Sequence, residues 1–250
     1  MKISFFEEFM DNNIMKKLNL IDFPTKIYLA DYHISTFDMY KNKLRRENNQ
    51  VEEVIWWPIV NKKDGYWLSP FTRKRALASV LYNLRNKDIP ILWDAELPKN
   101  KMLLLTELKK FRRNKLVIKE FFKQYKGKIY TAEYFLERGL IKKWSSKLML
   151  TFDPKKYNNT IIKMMYTSMH NYPVGFIKNE LSSNVKIYGK NFMVGLGVLT
   201  YGINGNEKPI SLEYLERDLR LCKEAGISEV VIYRLGGLDK EYLNVIKKFI

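Results

Sequence analysis

The sequence predicts an α/β fold in which eight strand–helix units close into a single (β/α)₈, or TIM, barrel domain spanning residues 1–250. Three observations favour this fold. Short apolar runs rich in β-branched and aromatic residues alternate with helical stretches, about one pair every ~30 residues. Most of these runs are continuous, as in strands covered on both faces. The length of 250 residues suits eight such units. An open doubly wound sheet is the alternative.

Eight apolar runs are the candidate strands. They are expected at residues 2–9, 26–32, 53–60, 89–97, 128–135, 161–169, 192–201 and 229–235. The clearest helix is expected at residues 211–225, because Ser211 is a good N-cap and Gly226 a good terminating residue. Cys222 falls on the apolar stripe of that helix, which indicates a buried core thiol. Residues 148–153 are expected to be a helix end and a loop stopped at Pro154.

Composition excludes several classes of protein. Apolar residues make up 46% and charged residues 28% of the chain, which excludes a disordered polymer. A single cysteine excludes an internal disulfide framework and a multi-cysteine zinc site. No apolar run reaches the ~18 residues of a spanning helix, and the acidic first ten residues do not resemble a signal peptide. We therefore expect a cytoplasmic protein with no membrane partner.

Positive charge is concentrated in one segment of this basic protein. The net charge is +17, and the segment that starts at Lys99 and ends at Lys128 has eleven lysines and arginines against two acidic residues. Apolar residues at near-helical spacing predict one long amphipathic helix with a basic outer face. That face is either ordinary solvated surface or a non-specific site for a polyanion such as nucleic acid. No RNA-binding signature accompanies it.

Two carboxylates at the end of the fourth strand are the leading functional candidates. Active sites of such barrels collect at the carboxyl ends of the strands. Strand alternation places Asp94 and Glu96 on the same side. Proximity and partial burial favour one protonated and one ionised carboxyl group, the equipment for glycoside hydrolysis. The alternative is that one carboxylate caps the next helix while the other pairs with a lysine.

Short motifs on two strands extend this interpretation. The Asp94-Ala95-Glu96 segment resembles the terminal D-x-E of family 18 chitinases, and Met164-Met165-Tyr166 is similar to their M-x-Y-D motif. The resemblance implies that Glu96 is the general acid, that Asp94 orients a substrate acetamido group acting as nucleophile, and that Tyr166 supports the intermediate. The chain departs from the family pattern at Thr167, which replaces the motif's Asp, and upstream of Asp94, where the longer acidic motif is absent.

Other strand ends supply further candidates. Glu133 of the fifth strand is expected to be a catalytic carboxylate. The expected substrate-binding residues are His33, Trp57, Tyr66, Trp67, Tyr201 and Arg234. The Asp64-Gly65 turn places Tyr66 and Trp67 in an aromatic loop, where their rings could stack on sugar faces, although such rings also pack in cores.

Other chemistries stay open at this stage. Glu96, Glu133 and His170 could bind a divalent metal in an isomerase-like barrel, whereas two histidines in total exclude a His-rich zinc site. Glycines after the seventh and eighth strands could hold a phosphate in a phosphosugar-processing enzyme, or could be turn residues. A barrel used only for binding is a further alternative. The main prediction is a glycosidase that acts on a carbohydrate without metal or cofactor.

Overall fold

The computed structural model describes residues 1–135 and 139–250, and it contains the predicted eight-stranded parallel barrel. The strands follow one another around the barrel in chain order, and β8 pairs with β1. They are β1 Lys2–Glu7, β2 Thr25–Asp31, β3 Val51–Pro58, β4 Ile91–Asp94, β5 Ile129–Tyr134, β6 Asn159–Met164, β7 Phe192–Gly197 and β8 Glu229–Tyr233. Each overlaps its predicted run and ends earlier, at the point where the hydrogen-bonded ladder of the barrel stops.

Helices separate the strands, as in a (β/α)₈ fold. They are α1 Asn12–Leu18, α2 Ile34–Glu47, α3 Lys74–Leu84, α4 Leu103–Thr106, α5 Phe111–Gln124, α6 Gly139–Lys147, α7 Pro154–Tyr157, α8 Val174–Tyr188, α9 Leu212–Glu224 and α10 Lys240–Lys247. The prediction for α9 is confirmed: the Ser211 side chain accepts a hydrogen bond from the Tyr214 amide, and Gly226 has a positive φ of 76°. Cys222 is fully buried in α9, as predicted.

Two local predictions need correction. The basic segment is not one long helix, because α4 ends at Thr106 and a 3₁₀ turn at Leu108–Lys110 precedes α5. Leu108 on the supposed apolar stripe is 59% exposed, so no continuous buried face supports a longer helix. Residues 148–153 contain no strand, as predicted. Pro154, however, begins the short helix α7 with Asp153 as its side-chain cap.

The chain divides into two compact units. The first comprises residues 1–30, 38–55 and 162–250, and the second comprises residues 31–37 and 56–161. In the first unit β1 lies between β2 and β8, and β7 pairs with β8. In the second unit β4 pairs with β3 and β5. The single domain over residues 1–250 stays a prediction. Within the described ranges, no helix is long and apolar enough to span a membrane.

Candidate active site

In the second unit, strand alternation places Trp93 and Asp94 on opposite faces of β4. Trp93 packs against Phe121 and Phe122 of α5, with ring centroids 5.8 and 5.2 Å away. Asp94 is the next residue and therefore lies on the strand face opposite α5. It is 2% exposed. The helix α5 thus takes the tryptophan and leaves the acidic residue to the other face.

Glu96 follows two residues later and contacts Tyr134, which is not among the residues predicted from the sequence. Its Oε2 accepts a hydrogen bond of 3.0 Å from the hydroxyl group of Tyr134 at the end of β5. Asp94 pairs with Ala132 in the register of β4 and β5, so Tyr134 lies two residues beyond that pair on the same face. Glu96 is partly exposed, which keeps its carboxylate accessible.

The hydroxyl group of Tyr134 keeps its proton and acts as a hydrogen-bond donor. Burial, followed by the charges of Glu96 and Asp94, raises the pKa of Tyr134 well above its ordinary value of 10.0. Loss of the phenol proton would create a negative charge beside two carboxylates, and this is electrostatically unfavourable. Tyr134 therefore stays protonated across the neutral range and donates to Glu96.

Glu133 lies on the opposite face of β5 and has structural partners. It is 1% exposed, and its Oε1 accepts hydrogen bonds from the Thr131 hydroxyl at 3.0 Å and the Phe152 amide at 2.9 Å. Asn159 in turn donates to the Thr131 hydroxyl at 2.8 Å. These bonds tie the segment before α7 to β5 and β6. They give Glu133 a role in holding the backbone, and its catalytic role stays a prediction.

The aromatic loop lies against the end of β4 but is not open to water. The Leu68 amide donates to the backbone carbonyl of Asp94 at 3.2 Å. Tyr66 is fully buried and Trp67 is 8% exposed, with their rings packed edge to face at 5.4 Å. The two rings pack against each other and their surroundings, and the predicted role of Tyr66 and Trp67 in binding substrate stays a prediction. Trp57, at 4% exposure near the end of β3, is likewise buried.

In the first unit, Glu7 at the end of β1 is enclosed by donors. Arg234 Nη1 lies 2.7 Å from its Oε1, the Phe9 amide 2.8 Å, and the Gly236 amide 2.7 Å from Oε2. Burial raises the pKa of Glu7, while Arg234 and the two amides oppose that shift. Arg234 also donates through Nε to the carbonyl of Tyr201 at 3.0 Å. This predicted substrate-binding arginine is therefore engaged by its own chain.

Glu8 is the centre of a second buried network. It is 5% exposed and accepts hydrogen bonds from the Tyr233 hydroxyl and, at 2.9 Å, from the Ile203 amide. Burial and the Glu8 charge raise the pKa of Tyr233 well above its ordinary value. A Cβ atom on Gly202 would lie 1.8 Å from the Tyr233 hydroxyl oxygen. Glycine at 202 is thus required by close packing.

The loop at residues 202–205, after β7, donates its backbone amides to carboxylates of the protein. Glu207 accepts from the amides of Gly202 at 3.2 Å and Asn204 at 3.0 Å, while the Ile203 amide donates to Glu8. Burial acts to raise the pKa of Glu207, but these backbone donors lower it overall. Three consecutive amides are therefore committed. The loop does not present them to a phosphate, which argues against the phosphate interpretation of these glycines.

The remaining predicted residues lie in different surroundings. Tyr166, after β6, packs its ring 5.8 Å from that of Tyr233, so it belongs to the Glu8 network of the first unit. Tyr201 is 55% exposed. His33, exposed after β2 in the second unit, donates through its amide to Asp31 at 2.9 Å. The catalytic role of Tyr166 and the substrate-binding roles of Tyr201 and His33 stay predictions.

The metal alternative receives no geometric support. Across residues 1–135 and 139–250, no three His, Cys, Asp or Glu side chains lie close enough together to hold a metal ion. The ring of His170 stacks on Tyr172 at 5.4 Å, and Glu133 is engaged by Thr131 and the Phe152 amide. The proposed set of Glu96, Glu133 and His170 therefore does not form a metal site here.

Comparison with known proteins shows the fold. No protein-family model matches the chain, and no curated protein has a matching sequence. A GH18 chitinase from Pseudoalteromonas aurantia is similar in structure, with a TM-score of 0.58 over 100% of both chains at 9% identity. The PgaB glycoside hydrolase domain from Bordetella bronchiseptica has a TM-score of 0.54, 11% identity and coverage of 98% of this chain and 95% of that one.

A third structure of similar score is named for a different reaction. The D-tagatose 3-epimerase-like protein matches with a TM-score of 0.54 and 13% identity over 100% of this chain and 97% of its own. At these identities the likeness shows a shared barrel fold and does not transfer an activity. The chain is a TIM barrel whose structural neighbours include glycoside hydrolases.

Proposed function

We propose that this protein hydrolyses a glycosidic bond, with Glu96 as the general acid. The observation that carries the proposal is the arrangement of Asp94, Glu96 and Tyr134 at the ends of β4 and β5. Buried Asp94 is the last residue of β4, partly exposed Glu96 follows two residues later, and the phenol of Tyr134 donates a hydrogen bond to Glu96. Glycoside hydrolysis requires two carboxyl groups with different environments.

Each of these side chains has a distinct task in the proposed reaction. Glu96, protonated at the start, transfers its proton to the glycosidic oxygen as the bond to the leaving sugar breaks. The hydroxyl group of Tyr134 then donates to the carboxylate that remains. That carboxylate takes a proton from the water molecule that bonds to the anomeric carbon, which restores protonated Glu96 and completes the hydrolysis. Buried Asp94 supplies negative charge beside the electron-deficient sugar. On a 2-acetamido sugar, the resemblance to family 18 chitinases implies that Asp94 orients the acetamido oxygen as nucleophile.

The substrate class is a carbohydrate in this proposal. The structural neighbours named GH18 chitinase and glycoside hydrolase domain support it, since the same barrel there carries glycosidase activity. Trp67 keeps a small exposed fraction in the loop beside β4, and it is the aromatic ring we assign to contact with a sugar. Tyr66 and Trp57 would support that ring from the core.

The test is the Glu96→Gln variant assayed on a panel of 4-nitrophenyl glycosides and chitooligosaccharides. We expect the rate to fall by about 10²–10⁴-fold, as is typical when a general acid is removed. The melting temperature should be unchanged, because Glu96 is partly exposed and Gln conserves its shape. Glu120→Gln on α5, which neutralises an exposed glutamate, is the matched control and should keep full activity.

Two outcomes contradict the proposal. One is a wild-type protein that releases no sugar from any member of the panel. The other is a Glu96→Gln variant that retains the wild-type rate.

A further inference from the structure

The second unit contains a cavity of about 1150 Å³ that plays no part in the proposed hydrolysis. It lies beside the amino-terminal end of α3 and the residues that follow β2 and β3. We call it the basic cavity, after five cationic side chains in its wall: Lys63, Arg73, Lys74, Arg75 and Lys110. Its volume is of the order of small-molecule sites in proteins, which span roughly 300–1,000 Å³.

The charge of the basic cavity is positive after its ion pairs are counted. Asp64 pairs with Arg73 at 3.3 Å, and Glu107 pairs with Lys110 at 3.0 Å. Among the described residues, the other three cations of the wall form no ion pair. Like charges gathered in a concave wall raise the local concentration of anions. The cavity therefore attracts an anionic ligand.

The amino-terminal end of α3 adds backbone donors to these cations. The helix begins at Lys74, and no side chain caps it. Its first internal backbone bond is made by Leu77, which donates to the Arg73 carbonyl. The preceding amides belong to Lys74, Arg75 and Ala76, which line the basic cavity. Free amides and the helix dipole together favour a phosphate at such an end.

Glu107, a residue of the cavity wall, gives independent evidence for a ligand. The residue is 4% exposed, and its Oε1 is held by Lys110. Within the described part of the chain, its buried Oε2 has no hydrogen-bond partner. Buried carboxylate oxygens are normally satisfied, so an unsatisfied one on a residue of the cavity wall indicates a missing donor. A ligand hydroxyl group would supply that donor once the carboxyl group turns toward the cavity, whereas a sulfate ion, which carries no proton near neutral pH, would not.

We propose that the basic cavity binds a phosphorylated ligand that carries hydroxyl groups, the chemistry shared by sugar phosphates and ribonucleotides. The phosphate lies against the start of α3, close to Lys74 and Arg75. A ligand hydroxyl donates to Glu107 Oε2. This site uses none of the residues assigned to hydrolysis, so its test is independent of the Glu96 experiment.

The first test measures affinity by isothermal titration calorimetry with ribose 5-phosphate, adenosine 5′-monophosphate and unphosphorylated ribose. Both phosphorylated probes should bind and ribose should not, with the tighter phosphorylated probe identifying the sugar phosphate or nucleotide class. The double variant Lys74→Glu/Arg75→Glu should bind about tenfold or more weakly, because it reverses two cavity charges. Lys43→Glu/Arg45→Glu on α2 makes the same charge change outside the cavity and should stay within about twofold of wild type.

The second test examines Glu107 directly. In the wild-type protein, ribose 5-phosphate should bind more tightly than sulfate, which has the shape of phosphate but no proton to donate. Glu107→Leu should abolish that preference while leaving the affinity for sulfate equal or higher, since a negative charge has been removed. A purely structural role would not move the preference between two probes. Circular dichroism of each variant establishes that it is folded.

Three results would overturn the proposal. The first is the absence of heat with every phosphorylated probe. The second is an equal loss of affinity in both double variants, which would indicate general attraction to a protein of net charge +17. The third is an unchanged preference for ribose 5-phosphate in folded Glu107→Leu.

Discussion

Two acidic residues lie at the end of β1 and two lie at the end of β4, but the two pairs differ in their environments. Glu7 and Glu8 together accept hydrogen bonds from an arginine, a tyrosine and three backbone amides, and both are almost fully buried. Glu96 remains partly exposed beside the phenol of Tyr134. Both pairs lie at strand ends, where barrel active sites collect.

These hydrogen-bonding environments distinguish a structural carboxylate from the one proposed to react. Fixed amides and a guanidinium group favour the charged form of a carboxylate and hold it in one place, so a proton transfer there would leave several donors unsatisfied. A phenol beside a partly exposed carboxylate can adjust as the proton leaves. This difference is consistent with the proposed role of Glu96, and it assigns Glu7 and Glu8 to the stability of the first unit.

Glu7→Leu should lower the free energy of unfolding, and this change should be greater than those predicted below. The change leaves Arg234 without its carboxylate and two amides without an acceptor, and breaking a buried pair in this way costs about 3–5 kcal/mol. Urea denaturation should show this loss in the free energy of unfolding. The double variant Glu7→Leu/Arg234→Leu should recover part of it. A loss below about 1 kcal/mol for Glu7→Leu would mean that these carboxylates are not structural.

A smaller effect is expected for Tyr134→Phe, which removes the phenol from Glu96. The rate of glycoside hydrolysis should fall about tenfold, equivalent to about 1.4 kcal/mol, because the carboxylate formed by proton transfer loses its donor. The raised pKa of Tyr134 predicts that the wild-type rate shows no ionisation of this phenol up to pH 10. Kinetics at several pH values test both statements. An unchanged rate in Tyr134→Phe would separate this tyrosine from the reaction.

The smallest effect is expected for Glu207→Gln and depends on pH. The pKa of Glu207 is lowered from its ordinary value of 4.5, so its contribution to stability is present above that pH and is lost as the pH falls through the lower folded-state value. The variant should be less stable by about 1 kcal/mol at pH 7. Thermal denaturation of both proteins from pH 7 to about pH 3 should show the difference disappearing. A difference independent of pH would contradict this account.

The fold could be predicted from the sequence because its signals are local. Continuous apolar runs locate all eight strands, and the capping residues Ser211 and Gly226 locate α9. The predicted end of every strand is too late, since the point at which a strand leaves the ladder depends on neighbouring strands. The nearly helical spacing of the segment before α5 predicts a single helix, whereas the turn at 108–110 depends on tertiary packing.

The candidate site was predictable only in part. Asp94 and Glu96 could be found because alternation within one strand is a local property. The sequence points to Glu133 and not to Tyr134, although the two are adjacent and face opposite ways. Choosing between them requires the register of β5 on β4, in which Asp94 pairs with Ala132, and that register is a long-range property. The burial of Tyr66 and Trp67 is likewise set by residues distant in sequence.

The close approach between Gly202 and the hydroxyl of Tyr233 has an evolutionary consequence. Any side chain at position 202 would displace that hydroxyl, and with it the hydrogen bond to Glu8. The two positions should therefore change together: descendants of a common ancestor that keep the tyrosine are expected to keep the glycine. In more distant sequences, this covarying pair offers a criterion for kinship that does not rely on overall identity.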